Sequence, residues 1–151
     1  MDHRRLREQF GFHLARLARL WRSHLDERLS PLGLTQAKWA ILLHLSKTGG
    51  SLPQRELVDR VGVEGPTLVR LLDGLERLQL IKRHDCADDR RSKTIHLTEL
   101  AGPVISDIST IATDLRNEIL EGISAEDLAT CESVLLHMAK NLGVCLREEN
   151  R

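Results

Sequence analysis

The chain has 151 residues, enough for one domain or one compact subunit with an appended element, and its 22 basic and 22 acidic residues cancel, so net charge points to no partner. No apolar run approaches the roughly 18 residues that cross a bilayer. The charged start MDHRRLREQF leads into an amphipathic pattern rather than a signal-peptide core, so the expected setting is soluble and cytoplasmic. Charge is unevenly placed, however. Residues 1–100 hold 18 basic and 13 acidic side chains and residues 101–151 hold 4 and 9, which leaves room for a basic face on the first two thirds.

Phe10, Leu14, Leu17, Trp21, Leu25 and Leu29 recur at three or four residues and predict a long first helix, stopped by PLGLT. Thr35 is placed to cap a second helix carrying Trp39, Leu42, Leu43 and Leu45, and KTGGS ends it. A short helix follows from about Gln54 to Val61, with Leu57, Val58 and Val61 inward. A turn through Gly62 and Val63 leads to a longer helix from near Glu64 to Leu78. Pro66 suits its first turn, where a missing N–H is no loss. Leu68, Leu71 or Leu72, Leu75 and Leu78 form its buried side, leaving Pro66, Thr67, Arg70, Asp73 and Arg77 outward.

After Leu80 the period falls to 2, so LIKRH and KTIHLT read as two strands around a charged tip. A helical pattern resumes from Pro103 through Ile105, Ile108, Ile111, Ala112, Leu115 and Ile119. GISAED interrupts it, and Ser124 with Asp127 forms a capping-box variant before a last helix with Leu128, Cys131, Leu135, Met138 and Leu142. The apolar stripes at both ends of the chain must be covered, within one chain or across a two-fold axis.

Catalysis has little support. There is no G-x-S-x-G, H-E-x-x-H, G-x-G-x-x-G or P-loop, and the seven histidines do not fall at ligand spacing. The donors of HDC, residues 84–86, are consecutive and so poorly placed to converge on one ion. Cys86, Cys131 and Cys145 form no metal motif. Cys86, in a polar loop near Arg90 and Arg91, is a candidate redox thiol or an incidental one. Cys131 and Cys145 lie on an apolar helical face and are expected in the core. No catalytic residue, metal or cofactor is assigned.

DNA binding fits better. Residues 54–81 have the plan of a helix-turn-helix, whose second helix fits a major groove. Thr67, beside Pro66 near that helix's N-terminus, is placed for a base edge or phosphate, and Arg70 one turn on for guanine. Backbone N–H groups at the helix starts after Ser51, at Gln54, and after Glu64 are suited to phosphates. The following hairpin, with DDRRSK at its tip, makes a winged arrangement. Arg90 is the first choice for the narrow minor groove. Arg91 either turns back to an aspartate or serves a phosphate, Lys93 suits a backbone contact, and Asp89 is better explained as a tie within the wing. The competing readings are an amphipathic helix with a solvated turn, and a winged protein-interaction module that recognises a partner rather than DNA.

At these residues the chain resembles the MarR family of winged helix-turn-helix regulators, and within it the SlyA-like branch. The similarity runs through LARLARLWRSHLDERLSPLGLTQAKWAILLHL (14–45), LPQRELVDRVGVEGPTLVRLLDGLERLQLIKR (52–83), CADDRRSKTIHLTELAGPVI (86–105) and EILEGISAEDL (118–128). The family's wing pattern, Asp, any residue, Arg, five free positions and Leu-Thr, falls on Asp89, Arg91, Leu97 and Thr98, with Arg90 between the first two. The resemblance implies a mainly α fold with a small β-hairpin wing: an N-terminal dimerisation helix over 1–32, a winged DNA-binding domain over 33–100, and C-terminal dimerisation helices over 101–151. It implies a homodimer on inverted-repeat double-stranded DNA, repressing or activating transcription. Thr67 and Arg70 then match the reading helix, Arg90 the wing arginine, and Asp89 with Arg91 a structural pair. It further implies a response to small aromatic acids or phenols in a crevice near Arg19 and Trp39, although Leu43 stands where some relatives carry a polar residue.

Overall fold

The computed structural model describes residues 3–89, 91–144 and 146. It forms two compact units, one up to Leu115 and one from Arg116 onward, so the division falls inside a helix. The first unit begins with α1, His3–Leu29, whose C-terminal end buries Leu25 and Leu29. A 3-10 turn, Ser30–Leu32, ends at Gly33, whose φ of 70° lies in the left-handed region that only glycine enters freely. Helix α2, Gln36–Lys47, is capped by Thr35, whose side chain accepts from the Lys38 N–H at 3.3 Å. Asp26 on α1 adds a carboxylate at the same end, accepting from the Gln36 N–H at 2.5 Å. A negative group at a helix N-terminus opposes the backbone dipole favourably, so this contact also ties α1 to α2.

Helices α3, Gln54–Val61, and α4, Gly65–Arg77, follow β1, Ser51–Pro53. Strands β2, Ile81–Asp85, and β3, Lys93–Leu97, then complete a three-stranded antiparallel sheet of order β1-β3-β2. The register pairs Leu52 with Ile95 on one side of β3 and Arg83 with Ile95 on the other. The expected hairpin is therefore present, and a third strand joins it that period alone did not suggest. Proline can close β1 because β1 is an edge strand, where a missing N–H breaks no ladder.

The core of this unit draws on α2 (Ile41, Leu42, Leu45), α3 (Leu57), α4 (Leu68, Leu72, Leu75) and the sheet (Ile81, Ile95), all essentially inaccessible to solvent. Leu72 rather than Leu71 takes the fully buried position. Leu78, expected inward, is 37% exposed. The buried row of α4 runs 68, 72, 75 and would continue at 79. The helix ends first, with Leu78 as its C-cap and Gln79 turned to φ 61°. Phe10 and Leu17, also expected inward, are 39% and 53% exposed along α1.

Helix α5, Ala101–Ile119, buries Ala101, Ile108, Ala112 and Leu115, all on the first unit's side of the division. In the second unit, α6, Ala125–Asn141, starts as the sequence suggests. Ser124 accepts from the Asp127 N–H at 3.0 Å and its hydroxyl donates to the Asp127 carboxylate at 2.8 Å. Its apolar stripe is largely open, with Leu128, Val134 and Leu142 exposed. Cys131, expected in the core, is exposed too, because a helical apolar face is buried only where another element covers it. Cys145 lies outside the described residues.

The burial pattern makes a contrast. Leu72→Ala should cost about 2–5 kcal/mol in urea unfolding, as a truncation in a closed core does. Leu78→Ala should cost less than about 1 kcal/mol. Equal losses at both positions would contradict the placement of the α4 terminus.

Candidate nucleic-acid interface

The turn between α3 and α4 is built by Gly62, whose φ of 69° closes α3 while its N–H donates to the Val58 carbonyl at 3.0 Å. Glu64 then caps α4 in an extended conformation through its backbone carbonyl, which accepts from the Leu68 N–H at 3.0 Å, and no side chain caps the helix start. Pro66 contributes no N–H. The amides of Gly65 and Thr67 are thus left as donors at a positive helix end, a site suited to an anion. Glu64, Pro66, Thr67 and Arg70 are all exposed. Arg70 has no hydrogen-bonding or ionic partner among the described residues, so the outward face of α4 carries an uncommitted cation one turn from those amides.

One expected residue sits differently. Ser51 is not at a helix start; it pairs with His96 in the sheet. The cap of α3 is Pro53, without a side-chain bond, and Gln54 is the first helical residue. A run that ends in proline and has only three residues shows no alternation from which a strand could be read.

In the wing, Asp89 acts as the expected tie, but to backbone rather than to a guanidinium. Its carboxylate accepts from the Arg91 N–H at 2.9 Å and from the Ser92 hydroxyl at 3.2 Å, while its carbonyl accepts from the Ser92 N–H. The Arg91 side chain has no acceptor among the described residues and is exposed. Lys93 pairs with Asp85 across the hairpin, both ends well exposed. Such a pair is worth little in water and exchanges readily for another anion. Arg90 lies outside the described residues. The donors of HDC have other partners: the His84 ring meets the His96 ring edge-on at 4.9 Å, Asp85 holds Lys93, and the Cys86 thiol sits 3.0 Å from the Thr94 hydroxyl. No group of three His, Cys, Asp or Glu side chains among the described residues could hold a metal ion.

A cleft of about 460 Å³ separates the start of α3 from the wing. It brings Gln54, Asp89, Arg91 and Lys93 together with Arg55, which sequence reasoning passed over. Arg55 is exposed in the first turn of α3 and has no partner among the described residues. Its signal was its position one residue after the predicted helix start at Gln54.

The other missed residue is Arg83, on β2. Its Nη2 donates to Asp73 at 2.5 Å and its Nε to Glu76 at 2.8 Å, both carboxylates belonging to α4. The hydrogen bonds it donates to Glu76, then to Asp73, hold the guanidinium pKa above its already high ordinary value, so its charge is constant over any working pH. Asp73 thus turns toward the wing and does not stand free on the outward face. At the hairpin base, Thr98 donates through its N–H to the Leu80 carbonyl at 3.0 Å and through its hydroxyl to the Gln79 carbonyl at 2.6 Å. The Leu97 N–H reaches the Gly50 carbonyl at 2.8 Å, so the Leu-Thr of the wing pattern closes the strand onto the preceding turns.

Of the two residues expected near an effector crevice, Arg19 is exposed on α1, and Trp39 on α2 has a buried indole N–H with no hydrogen-bond partner among the described residues. Neither lines the cleft beside the wing.

This arrangement agrees with what similar proteins show. The sequence profile of the MarR family matches residues 32–92, from the start of α2's approach to the wing. A crystallised transcriptional regulator, PA3341, is 51% identical, with 94% of this chain and 99% of that one aligned and a TM-score of 0.74. A MarR-family regulator from Rhodococcus sp. RHA1 shares the fold at 24% identity and a TM-score of 0.77, over 89% of this chain and 94% of that one. A mutant MarR from E. coli, complexed with operator DNA, shares it at 23% identity and 0.77, over 91% and 99%. The relatives are transcriptional regulators, and no described helix is long and apolar enough to cross a membrane. With its helix pair, its sheet and its wing in this order, the chain belongs to the MarR family of winged-helix transcriptional regulators.

Proposed function

We propose that this regulator works as a homodimer on inverted-repeat promoter DNA, with α4 in the major groove and the wing in the adjacent minor groove. One observation carries the reading: α4 turns Thr67 and an unpartnered Arg70 outward beside a wing tied to that same helix. The operator DNA of the E. coli relative supports it. Backbone donors at Gly65 and Thr67 suit a phosphate, Arg70 suits a guanine edge, and Arg55, Arg91 and Lys93 suit the phosphates between the grooves. Arg90 takes the minor-groove role, where an arginine gains from the negative potential of a narrow A·T-rich groove. Glu64 and Pro66 serve through backbone shape, since a carboxylate facing phosphate repels. The SlyA-like branch remains the assignment of the sequence resemblance.

Dimerisation is supported by apolar surface at both ends of the chain. Leu6, Phe10, Phe12, Leu17 and Leu20 lie open on α1, as do Leu128 and Val134 on α6 and Leu142 at its C-cap. Residues 1–32 and 101–151 are assigned to the dimer and 33–100 to DNA. Two-fold symmetry sets the half-sites about one helical turn, roughly 34–36 Å, apart. Repression or activation then follows from where the site lies in a promoter.

Selection from randomised and genomic duplex DNA at about 150 mM salt, where weak non-specific contacts are partly screened, tests this reading. It should return an inverted repeat with A·T-rich flanks. Arg70→Ala should lose about 1–3 kcal/mol and relax preference at one position of each half-site. Arg90→Ala should lose affinity and A·T preference in the flanks. Recovery of no sequence by a folded dimer would sink the proposal, and an unchanged Arg90→Ala protein would remove Arg90 from the groove.

An effector site near Arg19 and Trp39 completes the proposal. Its support is the unpaired indole N–H of Trp39, a buried donor of the kind a carboxylate or phenol oxygen satisfies. Isothermal titration with salicylate should give binding heat that Trp39→Ala abolishes. No heat at millimolar ligand, or heat that survives the substitution, would remove this site.

A further inference from the structure

We infer that Arg83 is a positioning residue for DNA reading: by joining β2 to α4 it sets the angle at which the wing meets the minor groove beside the recognition helix. This rests on the DNA-reading function proposed above and names what couples its two reading elements.

The geometry is specific to orientation. Arg83 is the middle residue of β2, opposite the buried Ile95 of β3, and so belongs to the sheet from which the wing extends. Its guanidinium crosses to α4 and meets two carboxylates, Asp73 at 2.5 Å and Glu76 at 2.8 Å, from successive turns of one helix face. A planar group gripped through two different nitrogens resists rotation as well as separation, which a single point charge does not. The Arg83 side chain is 24% exposed, roughly half the exposure of its partners.

The other polar ties of the hairpin reach β1 and the turns around it: β1 pairs with β3 from Ser51 opposite His96 to Pro53 opposite Thr94. The Thr98 bonds to Leu80 and Gln79 hold the end of β3 to the turn after α4, and the Leu97 N–H holds it to Gly50. These fix β3 to β1 and to neighbouring turns, and among the described residues none of them grips α4 itself. Arg83 acts from the middle of β2 and reaches the same helix that carries Thr67 and Arg70. A groove-reading helix and a groove-reading hairpin bind one DNA segment together only if their relative placement matches the duplex. A misplaced wing forfeits its flank contact and leaves the helix contact intact. The side chain therefore governs specificity at bases it is not required to touch.

Two variants separate positioning from charge. Arg83→Met removes one positive charge and keeps the stem, whereas the double variant Asp73→Asn/Glu76→Gln removes two negative charges and keeps Arg83. Each dimer is titrated, at one salt concentration, with the selected operator, with the operator carrying G·C in place of A·T flanks, and with a half-site mismatch at the Arg70 position. Wild-type protein should prefer the A·T flanks by roughly tenfold. Both variants should bring that ratio close to one while keeping the half-site discrimination. Their overall affinities should move in opposite directions, down for Arg83→Met and up for the double variant, because phosphate attraction follows net charge. Retention of the wild-type flank ratio in either variant overturns the inference. So does an equal loss of discrimination at flank and half-site, which would mark the pairing as a support of the fold alone. Wild-type protein with no flank preference instead contradicts minor-groove reading by the wing, and this inference falls with it.

Discussion

In the proposed DNA complex, a helix in one groove and a hairpin in the next must be held at a spacing dictated by DNA, a constraint that Arg83, gripped between Asp73 and Glu76, would meet. Magnitudes separate what holds the wing from what aims it. Partly exposed ion pairs contribute about 0–1 kcal/mol each. Burial of one leucine or isoleucine side chain contributes about 1.5–3 kcal/mol. Leu72, Leu75, Ile81 and Ile95, closed to solvent, therefore keep the hairpin on the helix. Hydrophobic contact is non-directional, however, and permits small rotations. The bidentate pairing adds direction at little energetic gain, which suits a residue whose role is geometric.

Charge is organised on the same principle. The whole chain is neutral, yet its first hundred residues carry the basic excess. Within them the arginines divide by partner. Arg83 is neutralised by α4, while Arg55, Arg70 and Arg91 have no carboxylate among the described residues. An unpartnered guanidinium in water is no burden to the fold, and it meets a phosphate or a base edge without first breaking an internal pair. Two carboxylates are committed to structure: Asp89 holds the wing turn and Asp26 caps α2. The apolar surface left open on α1, and separately on α6, provides the area that a second copy of the chain would cover.

Much of this was legible in the sequence where the determinants are local. Thr35 and Ser124 cap the helices that their positions suggest, the bounds of α3 match its apolar spacing, and the change of period after Leu80 marks the two wing strands. Features set by distant partners were not. The β1 strand forms because β3, more than forty residues on, offers it an edge, and three residues ending in proline carry no period. Asp73 looked like an outward-facing residue because its partner lies ten positions away on another element. Leu78, Phe10, Leu17 and Cys131 sit on apolar stripes, yet a stripe says only that cover is needed, not that one chain supplies it. Asp89 was legible as a tie within the wing, since a carboxylate facing phosphates would repel them, while its acceptance from backbone rather than from the Arg91 guanidinium is a detail of the turn.

Dimethyl sulfate footprinting of the purified protein on its selected operator is the most direct test of the proposed reading, because the reagent marks guanine N7 in the major groove and adenine N3 in the minor groove of the same duplex. Recognition helix and wing acting as one body predict two protected guanine positions about one helical turn apart. Each should be flanked on its outer side by protected adenines. Protection of the guanines with fully reactive flanking adenines would contradict a wing that reads the minor groove, and the absence of a paired pattern would contradict a two-fold reader of DNA.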